Sequence, residues 1–247
     1  MKYVGIIPAR YASSRFPGKP LCDLLGRPMI QRVYESALKW QQWHYLCVAT
    51  DSQLIYDACN DRSIPCTMTH SEHVDCIDRC YEAAINLQAS GVEGDRYIII
   101  QGDEPLFNTS TLDVDLTPEV VNFYTRVKID SEINDPNCVK VVVSSNQKAV
   151  YFSRLPIPYS GAQTSRGVMD NVYYKQLGVY SMSLNKLKKF HDLQPSFLEK
   201  NEGIGLLRLI DSGLDVSMRY SEHDSISVDT PEDMQKVLDV LKSTPCR

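Results

Sequence analysis

The chain has 247 residues, 43% of them apolar, with a formal net charge of -5 and a pI near 5.6. Such length and apolar content suit one sizeable packed domain and argue against an intrinsically disordered chain. The mildly acidic balance excludes nucleic acid or an anionic membrane as a partner held by bulk charge, so basic clusters are read as local devices and the partner is expected to be small. No apolar run is long enough to span a bilayer, and Met1-Lys2-Tyr3-Val4-Gly5 enters a strand pattern at once, so a cytoplasmic chain is expected. Its eight scattered cysteines then read as reduced, small buried residues without a disulfide framework.

Residues 3–7 form the first predicted strand, and the loop leaving it runs Pro8-Ala9-Arg10-Tyr11-Ala12-Ser13-Ser14-Arg15-Phe16-Pro17-Gly18-Lys19-Pro20. Arg10, Arg15 and Lys19 can surround an anion, Ser13 and Ser14 can donate hydrogen bonds, and Gly18 lets the backbone approach a bulky ligand. The loop is neither the Gly-x-x-x-x-Gly-Lys-Ser/Thr nor the Gly-x-Gly-x-x-Gly phosphate motif. Its position at a strand end still points to a nucleoside triphosphate.

A helix at 29–40, a strand at 45–49, helices at 53–60 and 77–89 and a strand at 97–100 continue a βαβ pattern. That pattern predicts an α/β fold with a largely parallel sheet and ligands above the carboxyl ends of its strands. His70, His73, Cys76 and Cys80 carry zinc-ligand types, but the spacing and the interleaved Asp75 and Asp78 read better as loop polarity and helix-face cysteines. Directly after the strand at 97–100, Gln101-Gly102-Asp103-Glu104-Pro105 sets Asp103 just beyond a buried strand, where an acid can hold Mg²⁺.

Residues 105–135 are irregular apart from a strand at 122–129. Strands at 139–143, 149–152 and 176–183, with a polar loop at 160–170, suggest a small β-rich piece over about 135–183 beside a core of 1–134 and 184–247. Helices at 184–193 and 197–212, a strand at 215–220 and a helix at 231–243 complete the chain. Thr230 is the expected N-cap of that last helix, with Pro231 at its first position. Asp229, just before this cap, is the second metal candidate. Alone, either aspartate is an ordinary turn or capping residue; the two acids and the cationic loop together favour metal-assisted nucleotidyl transfer.

Taken in order, Ile7-Pro8-Ala9-Arg10, Pro17-Gly18-Lys19-Pro20-Leu21, Ala49-Thr50-Asp51, Gln101-Gly102-Asp103-Glu104-Pro105, Tyr151-Phe152-Ser153-Arg154, Leu177-Gly178-Val179-Tyr180 and Val228-Asp229-Thr230-Pro231-Glu232-Asp233 resemble the 3-deoxy-manno-octulosonate cytidylyltransferase family. The resemblance implies a nucleotidyltransferase, Rossmann-like mixed sheet, a homodimer, and transfer of CMP from CTP to the anomeric hydroxyl of a 2-keto-3-deoxy sugar acid with release of pyrophosphate. It implies Mg²⁺ on Asp103 and Asp229, and CTP on Pro8, Ala9, Arg10, Ser14, Arg15, Lys19, Arg79, Gln101 and Asp103. Arg10, Arg15, Lys19 and Asp103 are the implied catalytic groups. Arg154, Gln176 and Tyr180 are implied to face the acceptor.

Departures from the family pattern gather on the acceptor side. Asp75-Cys76-Ile77 stands where the family has Ser-Gly-Thr, so a small turn beside the nucleotide has gained bulk and a charge that bear on base selectivity and the pose of CTP. Gln176 stands where the family has His, and Gly205-Leu206 where it has Glu-Gln. The stretch 105–135 is also shorter than the family pattern. These changes leave open the identity of the acid: the 3-deoxy-manno-octulosonate itself, another ulosonic acid, or a phosphonate. A noncatalytic nucleotide-binding subunit is the rival reading, and retention of Arg10, Lys19, Asp103 and Asp229 opposes it.

Overall fold

The computed structural model describes residues 1–12, 16–159 and 172–243. Its centre is a nine-stranded sheet built from β1 (Tyr3–Ala9), β2 (Trp43–Thr50), β3 (Cys66–Met68), β4 (Arg96–Ile100), β5 (Val120–Arg126), β6 (Lys140–Val143), β7 (Ala149–Ser153), β8 (Tyr174–Met182) and β9 (Ser217–Tyr220). The main path runs β3-β2-β1-β4-β8-β5-β9. Along it β8 alone runs against its neighbours, antiparallel to both β4 and β5, while the pairs on either side are parallel. The carboxyl ends of β1, β4, β5 and β9 therefore open on one edge, where an α/β sheet receives its ligands.

Alternation along the strands sends side chains into two cores. In β4, Tyr97 and Ile99 join one cluster, and Ile98 and Ile100 join the other. The helices α3 (Cys76–Ala89), α5 (Leu184–Asp192) and α7 (Leu206–Asp211) cover the first face, with Ile77, Cys80, Leu187, Phe190 and Leu207 buried there. On the second face lie α1 (Met29–Leu38), α2 (Gln53–Asn60) and α8 (Pro231–Ser243), which contribute Met29, Val33, Ile55 and Val237. A strand buried on both faces needs an uninterrupted apolar run, and Tyr97-Ile98-Ile99-Ile100 in β4, all fully buried, supply it.

Three sequence-based expectations change. The helix expected over 197–212 is two helices, α6 (Phe197–Glu202) and α7, because Gly203 adopts φ 65° and ends the first in a left-handed cap. The strand expected at 122–129 is β5, which ends at Arg126, and a short helix, α4 (Asp130–Asn134), follows it. The three-residue β3 went unrecognised, its signal too short to stand out. The strands expected at 139–143 and 149–152 form the β6–β7 hairpin, and the one expected at 176–183 is β8, inside the main sheet. Among the described residues no helix is long and apolar enough to cross a membrane.

Candidate active site

Three strand-end segments meet above the carboxyl edge. Gly102, in the turn after β4, passes so close to β1 that a Cβ there would lie 2.5 Å from the Pro8 carbonyl oxygen. Only glycine permits that approach. The same turn is stitched to the segment before α8, since the Val228 N–H donates to the Asp103 carbonyl at 2.9 Å. Asp103 and Asp229 thereby come together although 126 positions separate them in the chain (229 − 103). At the start of α8, Thr230 Oγ1 accepts from the Asp233 N–H at 3.3 Å, the capping expected from sequence.

Lys19 supplies the cation. It follows a turn in which Gly18 adopts φ 71° and donates its N–H to the Tyr11 carbonyl at 3.0 Å. Its ammonium lies 2.8 Å from Asp103 Oδ2, 3.6 Å from Asp229 Oδ1 and 2.7 Å from the Val228 carbonyl oxygen. One positive group thus sits between both acids. The second oxygen of Asp103, Oδ1, is buried and accepts no hydrogen bond among the described residues. Such an orphaned anionic oxygen costs free energy unless something positive joins it. Next to it, Glu104 also lines the cavity: its Oε1 accepts from the Gly178 N–H at 2.9 Å, and burial, reinforced by the Asp103 charge, pushes its carboxyl up to about 7.

These groups line a cavity of about 660 Å³, a volume suited to a small molecule. Pro8, Ala9 and the exposed Arg10 form its rim on the β1 side. Ser14 and Arg15, the other cationic-loop residues expected here, lie outside the described residues, as does the polar loop at 160–170. Gln101 lines the cavity too, and its Nε2 donates to the Tyr180 hydroxyl at 2.9 Å. Burial, followed by the neighbouring Cys76 and Asp75, raises that phenol well above its ordinary range, so Tyr180 stays a neutral hydroxyl.

The far wall is the side implied for the acceptor. Gln176 points a buried Nε2 that meets no acceptor among the described residues, so a donor is held ready there. Arg154 lines the same wall, but its guanidinium is engaged with backbone oxygens: Nε with Glu202 at 2.6 Å, Nη1 with Pro136 at 2.7 Å and Nη2 with Gly203 at 3.3 Å. Arg79 likewise touches the cavity while its Nη2 pairs with Asp51 at 2.7 Å and its Nη1 donates to Thr69 Oγ1 at 2.6 Å. That arginine ties the ends of β2 and β3 to the start of α3.

Glu202 was missed in the sequence. Its carboxylate accepts from Ser153 Oγ at 2.8 Å and from the Arg154 N–H at 2.8 Å, and so fixes the end of β7 against α6. A lone acid inside a helical stretch gives no local signal of such a role. The His70, His73, Cys76 and Cys80 group does not converge. His73 pairs with Glu82, which also accepts from the His70 N–H, while burial pushes the Cys76 and Cys80 thiols well up. Among the described residues no three His, Cys, Asp or Glu side chains gather as metal ligands. The two stretches that depart from the family pattern do meet, since Asp75 and Gly205 face each other across this cavity wall.

Comparison with known proteins agrees with this geometry. A family model described as cytidylyltransferase matches residues 4–218. The 3-deoxy-manno-octulosonate cytidylyltransferase of Lawsonia intracellularis is 39% identical over 97% of this chain and 94% of its own. That of Parabacteroides distasonis is 38% identical over 98% of each. A solved structure of CMP:2-keto-3-deoxy-manno-octonic acid synthetase complexed with CTP superposes with a TM-score of 0.84 at 35% identity, covering 98% of this chain and 99% of that one. With likeness of that extent over nearly the whole length of each relative, the chain belongs to the 3-deoxy-manno-octulosonate cytidylyltransferase family.

Proposed function

We propose that the chain transfers CMP from CTP to the anomeric hydroxyl of 3-deoxy-manno-octulosonate or a close relative of that acid. In this reaction the hydroxyl oxygen forms a bond to the α-phosphorus, the bond from that phosphorus to the α–β bridging oxygen breaks, and the hydroxyl proton is lost as pyrophosphate leaves. The reading is supported above all by the convergence of Lys19, Asp103 and Asp229 in the cavity, in a fold shared over nearly its whole length with a CTP-complexed synthetase.

The residues fit a divalent ion. Two carboxylates offer hard oxygen ligands, Asp103 Oδ1 is an unused one, and an ammonium already occupies the space between the acids. Magnesium needs only one or two protein carboxylates beside water and phosphate oxygens. Asp103 and Asp229 would hold it, and when bound it would offset the negative charge on the triphosphate. Arg10 and Lys19 would bring further positive charge to the phosphates, with the backbone of Pro8 and Ala9 beside them; Ser14 and Arg15 are the further phosphate contacts that the family resemblance implies. Gln101 and Tyr180 form the floor between nucleotide and acceptor, and Gln176 offers its amide to the acceptor. Orientation and charge stabilisation suffice for such a displacement, so no side-chain nucleophile is needed.

The same reading includes a cytoplasmic homodimer. The exposed Leu155, Tyr159 and Phe197 near the end of β7 and the start of α6 supply apolar surface for a second copy, and light scattering tests it. The catalytic reading is tested by pyrophosphate release from CTP with a panel of keto acids, with and without a chelator. Release that depends on both the acid and free Mg²⁺ is expected. A protein that binds CTP and releases nothing with any acid overturns the reading in favour of a noncatalytic subunit.

A further inference from the structure

We propose that Asp75 sets the acceptor specificity of this site: its carboxylate receives a hydrogen-bond donor, a hydroxyl or an ammonium group, carried by the acid that accepts CMP. The inference rests on the cytidylyl-transfer reading above and names which residue selects the acid.

The geometry is reciprocal. A Cβ at position 205 would lie 2.4 Å from Asp75 Oδ2, 2.8 Å from its Cγ and 2.9 Å from Oδ1. A side chain at 205 and a carboxylate at 75 exclude each other, so the volume next to the α6–α7 turn belongs to the acid at 75. Both residues line the cavity that holds Gln176 and Tyr180, and Asp75 is one of the charges that raise the Tyr180 phenol. Its position is also fixed: Oδ1 accepts from the Ile77 N–H at 2.7 Å and caps α3.

The surroundings decide what chemistry it can receive. Arg208 is the cation behind it, but Nε and Nη2 are bound to Glu199 at 2.7 and 2.6 Å, and Nη1 to Asp78 Oδ2 at 3.2 Å and the Phe190 carbonyl at 3.1 Å. Asp78 and Glu199 add negative charge near Asp75. This part of the wall therefore carries an excess of acceptors. An ionised carboxylate only accepts hydrogen bonds, so the complementary group on the ligand is a donor, and an anionic group there is rejected.

Pyrophosphate release measured with 3-deoxy-manno-octulosonate, with analogues lacking single hydroxyls remote from the anomeric centre, and with amino-for-hydroxyl analogues tests this. Asp75→Asn, which keeps a capping oxygen, is expected to raise the acceptor KM about tenfold, the size of one charge-assisted hydrogen bond, and leave the CTP KM unchanged. One deoxy analogue should be insensitive to the substitution, identifying the hydroxyl; a larger loss with an amino analogue identifies an ammonium instead. Gly205→Ala, whose methyl displaces the carboxylate, should reproduce the acceptor effect, and it serves as the readout if Asp75→Asn does not fold. Wild-type turnover together with an acceptor KM that stays within about twofold in both variants overturns the inference while leaving the function standing. Absence of turnover by the wild type with every keto acid overturns the functional reading and this inference with it.

Discussion

The end of the cavity proposed for the nucleotide is assembled from three short segments at strand ends, whereas the end proposed for the acceptor comes from the starts of α3 and α7, the end of β7 and the middle of β8. At the first, backbone contacts do the positioning: Gly102 against Pro8, and Val228 against Asp103. Its side chains are left to face one another, as Lys19 faces both acids. At the second, the side chains themselves position the wall, so Arg154 and Arg208 are spent on carbonyls and carboxylates, and Glu202 on the Ser153 hydroxyl and the Arg154 N–H. The difference separates two kinds of evolutionary freedom. Groups held by backbone can be kept for chemistry, while a wall held by its own side chains changes shape when one of them changes.

Two substitutions test the nucleotide end, where the largest effects belong. Asp103→Asn should lower turnover by at least about a thousandfold, because the proposed cation site would lose a charge where the reaction builds one. Its melting temperature should change by only a few degrees, as for a partly exposed ion pair. Near-normal turnover in that variant would break the comparison at once. Lys19→Ala is expected to cost about a hundredfold in kcat and to leave the acceptor KM unchanged. It also leaves Asp103 and Asp229 facing each other with no ammonium between them. The variant should therefore melt lower in a chelator and recover in millimolar Mg²⁺, a recovery that differential scanning fluorimetry would read directly. Equal melting in chelator and Mg²⁺ would remove the cation from between the acids.

This contrast also explains what could be read without coordinates. The β1 loop, Asp103 and Asp229 were legible because each lies in a run of a few residues at a strand-to-helix boundary, where burial pattern and turn chemistry fix position. Their meeting point was inferable because ligands of open α/β sheets gather at the carboxyl edge. The strand order was less so: nothing local shows that β8 inserts between β4 and β5 against their direction. Glu202 and Arg208 act across loops, so their partners are set by tertiary packing and leave no spacing to detect. Gly205 was visible as an oddity, and its reason, the Asp75 carboxylate beside it, exists only in three dimensions.

Intermediate effects belong to the acceptor wall. Arg154→Ala removes three side-chain hydrogen bonds to the backbone around Pro136 and the α6–α7 turn. A loss of about 2–3 kcal/mol in stability is expected, from several modest bonds partly replaced by water. The acceptor KM should rise with it, and the CTP KM should hold. A change confined to CTP would show that the wall does not divide as drawn.

The smallest effect is one of sign. Burial first, then the nearby Asp78 and Glu199, push the Asp75 carboxyl up to about 6, against the Ile77 N–H and Arg208, which favour its charge. The folded chain thus holds this proton to a higher pH than the unfolded chain, whose aspartates titrate near about 3.9. Stability contributed by Asp75 is greatest below that value, falls as pH rises through the interval to about 6, and is flat above it. Asp75→Asn has no proton to lose. The variant should match the wild type near pH 4 and exceed it by about 1 kcal/mol at pH 7.5, once solvent screening and the lost helix-dipole contact are discounted. Urea midpoints at the two pH values measure this. A variant that gains stability where it loses acceptor affinity marks Asp75 as a residue held at a cost for recognition, and one that gains none at pH 7.5 shows that the charge at position 75 costs the fold nothing.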